Sequence, residues 1–135
     1  MANALYDKGR QKFLDGEIAW SSDDIKLVLV DSATYTVDLA ADEFLSDIIA
    51  GARVSVSPNF TTKSSDEGVA GADDVVLSAV TGPESEAIVI YKDTGTEATS
   101  PLIAYIDSAS GLPVTPNGGN IIITWDTGPN LIFKL

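Results

Sequence analysis

Two triplets carry the only spacing in this chain that suggests a reaction: Asp93-Thr94-Gly95 and Asp126-Thr127-Gly128. In acid hydrolysis two aspartates held on turns after strands share one proton and activate a water between them. Each copy here is three residues long and built from common turn formers. The copies are 33 residues apart, too close for each to stand in its own lobe. Turn chemistry, with Gly supplying a positive φ, accounts for both. Other reaction chemistry lacks its parts. Histidine is absent, and with it the commonest general base and the imidazole ligand of zinc, copper or iron. Cysteine is absent too, so there is no thiol nucleophile, thiolate metal site or disulfide. No Gly-x-Ser-x-Gly elbow occurs, and Gly118-Gly119 lacks the spacing and following helix of a phosphate cradle. The reading is of a non-enzyme: no catalytic, cofactor-binding or metal residue is assigned.

Binding chemistry leaves more open. Asp23-Asp24, Asp66-Glu67 and Asp73-Asp74 are acidic pairs that calcium would accept, although none fits the twelve-residue calcium loop; solvated surface acids are the plainer reading. Trp20 and Trp125 either stack on a ligand or pack in a core or interface. Tyr91 and Tyr105 share strand faces with Val89 and Ile103, which points inward.

Charge narrows the partners. Eight basic against twenty acidic residues give −12 over 135 residues, a balance that repels nucleic acid and anionic lipid. Lys8, Arg10 and Lys12 against Asp7 leave the first twelve residues at +2 and the remainder at −14. This is either a basic arm on an acidic body or three solvated helix charges. No signal peptide and no apolar run of bilayer-spanning length is visible. Hydrophobic residues at 44% and charged residues at 21% are ordinary globular usage.

The elements that must carry these residues are short. Asn3 to Asp15 reads as a helix with Leu5, Tyr6, Phe13 and Leu14 on one face, weakened by Gly9 and stopped by Gly16, so it depends on packing. Residues 1–16 are therefore expected as an N-terminal helical arm and 17–135 as a single β-rich domain. Ile25 to Val30 is apolar on both faces, as an interior strand is. Asp42 to Ile49 reads as a helical turn or two with Phe44, Leu45 and Ile48 inward. Arg53 to Ser57 alternates, and Pro58 ends it or marks a sheet edge. Thr61 to Asp74 reads as a long surface loop or flap. Strands are expected at Val75–Val80, Ala87–Tyr91, Leu102–Ile106, Ile121–Trp125 and Leu131–Leu135, with Gly/Pro turns between them. The fold class expected is mainly β: an antiparallel β-sandwich or partly closed barrel with a short N-terminal helix and a possible second near 42–49.

Several stretches together resemble small structural proteins of tailed-bacteriophage virions. They are Met1-Ala2-Asn3-Ala4-Leu5-Tyr6-Asp7-Lys8-Gly9-Arg10, Asp24 to Asp31, Ile88 to Asp107, and Pro116-Asn117-Gly118-Gly119 through Trp125-Asp126 to Phe133-Lys134-Leu135. Similarity to capsid decoration, or cement, proteins implies a non-catalytic β-rich knob on the capsid exterior, with the major capsid protein and its own copies as partners. It implies no cofactor, and a protein made in the bacterial host cytoplasm and located in the virion. A tail or head–tail connector subunit, or a β-sandwich ligand-binding module, remains an alternative. On this reading Leu5, Tyr6, Lys8, Arg10, Lys12 and Phe13 are the candidate capsid-docking residues. Trp20, Leu131 and Phe133 are candidate contacts of a dimer or trimer, since closed oligomers hide strand edges.

Overall fold

The computed structural model describes residues 4–108, 111–129 and 131–135. Its frame is an antiparallel five-stranded sheet made from β1 (Ala4–Leu5), β2 (Ile25–Val30), β3 (Arg53–Val56), β6 (Ala87–Lys92) and β7 (Leu102–Ile106). The order is β1-β7-β6-β2-β3. Two small antiparallel ribbons stand apart from it: β4 (Val69–Ala70) with β9 (Phe133–Lys134), and β5 (Val75–Leu77) with β8 (Ile121–Ile123). One α-helix, α1 (Asp7–Leu14), follows β1. The fold is mainly β and sandwich-like, and the five-stranded sheet keeps two open edges, β1 and β3, rather than closing into a barrel.

The apolar runs dictate this arrangement. Along β2 and β6 consecutive residues are aliphatic or aromatic, so both faces of the sheet must be covered. Leu27, Leu29, Ile88 and Ile90 face one core, shared with Trp20, Phe60, Leu77 and Ile123 from the ribbons and their connections. Val28, Val30, Val89 and Tyr91 face a second core, closed by Tyr6 and by Tyr35, Leu45, Ile48 and Ala52 from the β2–β3 connection. Within that connection the expected helix at 42–49 is reduced to a 3₁₀ turn at Leu45–Asp47. Leu45 and Ile48 are buried as their spacing suggested, while Phe44 is half-buried in a bridge to Pro101. Pro58 follows β3, which is an edge strand.

Between β6 and β7 the register shifts: Ile90 opposes Ala104, and Tyr91 opposes Leu102. Ile103 is the extra residue of a β-bulge, and both Ile103 and Ala104 turn to the first core. The bulge is where the N-terminus attaches. The Tyr6 N–H donates to the Ile103 carbonyl at 3.0 Å. Gly9 lies so close that a Cβ there would stand 2.4 Å from the Leu102 carbonyl oxygen. The glycine that weakens α1 as an isolated helix is thus what lets α1 reach the sheet. Gly16, at φ +76°, stops the helix as its position suggested.

Three expectations change. The helix begins at Asp7, not at Asn3, which lies outside the described residues; Ala4–Leu5 is a strand paired with Tyr105 and Ala104. Leu14, expected on the packed face, is 86% exposed. Ala4–Leu5 pair in the sheet and α1 packs against β7, as its dependence on packing suggested. Thr61–Asp74 is also less free than a flap. Ser64 and Gly71 exchange backbone hydrogen bonds at 2.9 and 3.0 Å, and the Trp20 indole donates to the Gly71 carbonyl at 3.2 Å.

Gly9→Ala tests the bulge contact. Alanine adds up to about 1 kcal/mol of helix propensity, whereas forcing a methyl into a packed backbone contact costs about 1–3 kcal/mol. The close approach to a main-chain carbonyl favours the larger cost, so chemical denaturation should show net destabilisation. A neutral or stabilising substitution would refute the docking of α1 on β7.

Candidate functional site

The charged residues act chiefly as fasteners. Lys26 pairs with Asp93 at 2.8 Å across the start of β2, and Lys92 pairs with Asp23 at 3.1 Å. Lys12 meets Glu43 at 3.0 Å and Glu17 at 3.9 Å, with its ammonium 5.1 Å from the centre of the Phe44 ring. Arg53 pairs with Glu97 at 2.7 Å, Arg10 with Asp7 at 3.2 Å, and Lys63 donates to the Asp23 carbonyl. Lys12, Lys26, Arg53, Lys63 and Lys92 are therefore engaged within the fold and Arg10 in an exposed pair, which leaves an outer surface richer in acids than in free cations.

The two Asp-Thr-Gly triplets are Asx turns. Asp93 accepts the Gly95 N–H at 2.9 Å, and Asp126 accepts the Gly128 N–H at 3.1 Å. Gly95 takes the positive φ expected, at +86°, but Gly128 is not among the left-handed glycines. The Lys26 ammonium and the Gly95 N–H hold the Asp93 carboxyl below its ordinary range. That environment keeps Asp93 ionised, opposite to the shared-proton state that acid hydrolysis requires.

Of the candidate docking residues, Tyr6 lies wholly in the second core, and Leu5, Lys8, Lys12 and Phe13 are half-buried. Only Arg10 is exposed, and it already holds Asp7. The docking set therefore does not form a common free face. Of the candidate oligomer contacts, Trp20 is 6% exposed and belongs to the core. It meets Phe60 and Phe133 edge-on at 6.0 and 5.3 Å between ring centres; Phe13 touches Phe133, and Phe60 touches Trp125. This aromatic chain ties α1, β9 and three loops together. Leu131 is 37% exposed, at φ +43°, and Phe133 is half-buried.

Tyr6 and Tyr35 do more than fill space. The Tyr35 hydroxyl donates to Asp42 Oδ2 at 2.6 Å and lies 2.9 Å from the Tyr6 hydroxyl, so Tyr6 donates to Tyr35. Burial pushes both phenols well above their ordinary range, which keeps them protonated as donors. Asp42 also accepts the Asp38 N–H at 3.0 Å. The relay pins the β2–β3 connection to the N-terminal segment.

Two surface depressions and an exposed apolar pair stand out among the described residues. A groove of about 330 Å³ runs between β1 and β9, lined by Leu5, Ile106, Ile132 and Phe133 and flanked by Arg10 and Lys134. A second, of about 260 Å³, is lined by Ala72, Trp125, Leu131 and Ile132 with Asp74 and Asp126 beside them. On the β5–β8 ribbon Val76 stands directly opposite Ile122, and they are 40% and 62% exposed. This pair was missed from sequence, although Val75-Val76-Leu77 and Ile121-Ile122-Ile123 signal it: on a ribbon covered on one side, the middle residue of each run faces out.

Among the described residues no group of three or more His, Cys, Asp or Glu is arranged to hold a metal ion, and no helix is long and apolar enough to cross a membrane. No family model and no curated protein matches the chain.

Two expectations test this geometry. Tyr35→Phe removes both bonds of the relay and strands the buried Tyr6 hydroxyl, costing about 1–3 kcal/mol, whereas Tyr6→Phe leaves the Tyr35–Asp42 bond intact and costs less. Equal losses in denaturation would mean the relay is not made. Asp93, held low, contributes stability at neutral pH that fades as pH falls through its depressed pKa. In Lys26→Met the Asp93 carboxyl should titrate closer to the ordinary carboxylate value by NMR, and an unmoved titration would rule out the pair as the cause.

Proposed function

We propose that this protein is a non-catalytic structural subunit of a tailed-bacteriophage virion, seated on the capsid exterior as a decoration protein. The single observation that carries the reading beyond the resemblance is how the charges are used. The cations fasten loops to the sheet, the aspartates of both Asp-Thr-Gly triplets close turns, and an acidic exterior with an exposed aliphatic pair is left for contact. Such a body stays soluble at high local concentration. At about 0.15 M ionic strength charge repulsion is screened beyond roughly 8 Å, so crowding on a shell is tolerable and short-range burial decides attachment. The partner on this reading is the major capsid protein, and the protein reaches the virion from the host cytoplasm. Because Tyr6 is in the core and Lys12 is clamped, attachment uses the surface the folded domain leaves free, without release of α1.

One observation favours a second reading, a β-sandwich ligand-binding module: Trp125 lines a depression beside Asp74 and Asp126. Immunogold labelling of virions of the phage that encodes the chain separates the possibilities. Label spread over the capsid, with saturable co-sedimentation of the purified protein on expanded capsids lacking it, is the expected outcome. Label confined to the tail or neck would move the assignment to a tail or connector subunit. Unlabelled virions would remove the virion reading altogether.

A further inference from the structure

The exposed ribbon and the groove beside β9 are complementary to each other. On the outer face of the ribbon, Val76 and Ile122 form an apolar pair, and Asp74, two residues before Val76, continues that face. Asp74 is exposed, and of its two carboxylate oxygens one accepts the Trp125 N–H at 3.2 Å. Among the described residues each strand of this ribbon pairs with the other alone. The groove has the opposite electrostatic character. Its lining brings Leu5, Ile106, Ile132 and Phe133 together with two cations, Arg10 and Lys134. In a chain of net charge −12 this is a rare concentration of positive charge on the surface. Arg10 gives one nitrogen to Asp7 and has further N–H donors; Lys134 is exposed.

We infer that the protein associates with itself head to tail, the β5–β8 ribbon of one copy seating against the β1–β9 groove of the next. Val76 and Ile122 cover the apolar lining, and Asp74 approaches Arg10 and Lys134. The two surfaces share no residue, so each copy carries one of each. Such a contact is heterologous, closing into a ring where the rotation allows and otherwise growing as a filament. Because the complementarity is internal to the chain, the inference stands independently of the capsid reading.

Light scattering coupled to size-exclusion chromatography of the full chain, over a wide concentration range, tests it. The wild type should run above the monomer mass. Ile122→Asp should weaken association by about tenfold or more, the loss of one buried aliphatic contact, and Ile122→Thr by less. Asp74→Lys sets a cation against Arg10 and Lys134, and Lys134→Glu sets an acid beside Asp74, so each alone should associate more weakly than the wild type. Mixed in equal amounts they should associate more strongly than either alone, since the unaltered ribbon of Lys134→Glu then meets the unaltered groove of Asp74→Lys. Circular dichroism confirms that each variant is folded; should Asp74→Lys fail through loss of the Trp125 bond, Asp74→Asn, which keeps an acceptor for it, replaces it in the mixture. A wild type that is monomeric throughout would overturn the inference. So would Ile122 variants that associate as the wild type does, or a mixture of folded charge variants that associates no more strongly than either alone.

Discussion

The rest of the molecule depends on a sheet whose central strands, β2 and β6, are shielded from water on both faces. Leu27, Val28, Leu29 and Val30 on one strand, and Ala87 to Ile90 on its neighbour, are all fully buried. Doubly wound proteins cover such strands with helices. Among the described residues there is one α-helix, of eight residues, so loops and short ribbons must do the covering. Loops do not hold their position by backbone pairing alone, which is why so many side chains are committed to fastening them. Lys12–Glu43, Lys26–Asp93 and the Tyr6–Tyr35–Asp42 relay all serve that need.

The same constraint explains the N-terminal segment. A bulge at Ile103 turns two successive side chains into one core, and the carbonyls displaced around it face a glycine and a backbone N–H from the first ten residues. Tyr6 then fills the opposite core and begins the relay that holds the β2–β3 connection. One segment thus links both faces of the sheet.

Much of this was legible in the chain. The unbroken apolar run Ile25–Val30 announced an interior strand, Leu102–Ile106 was bounded correctly, and Pro58 marked an edge. What periodicity could not show was long-range. Ala4 and Leu5 look helical because nothing local reveals that β7 lies beside them, and Gly9 looks like a defect until the Leu102 carbonyl is placed against it. The surface candidates suffered for the same reason: Tyr6 and Trp20 were read as contact residues, yet an aromatic side chain carries the same local signal whether its partner is another molecule or its own core. The exposed Val76–Ile122 pair was hidden in the reverse way, inside runs that look wholly buried.

Residues 4–14 and the β2–β3 connection are integral covers of a doubly buried sheet. Amide hydrogen exchange under native conditions tests this most directly. The account predicts that the Tyr6, Arg10 and Leu45 amides, bonded to Ile103, Tyr6 and Ser100, exchange as slowly as those of β6 and β7 and open together with them. Fast exchange of the N-terminal segment alongside a protected β2–β6–β7 core would show a detachable arm on a sheet that stands without it, and would contradict the account.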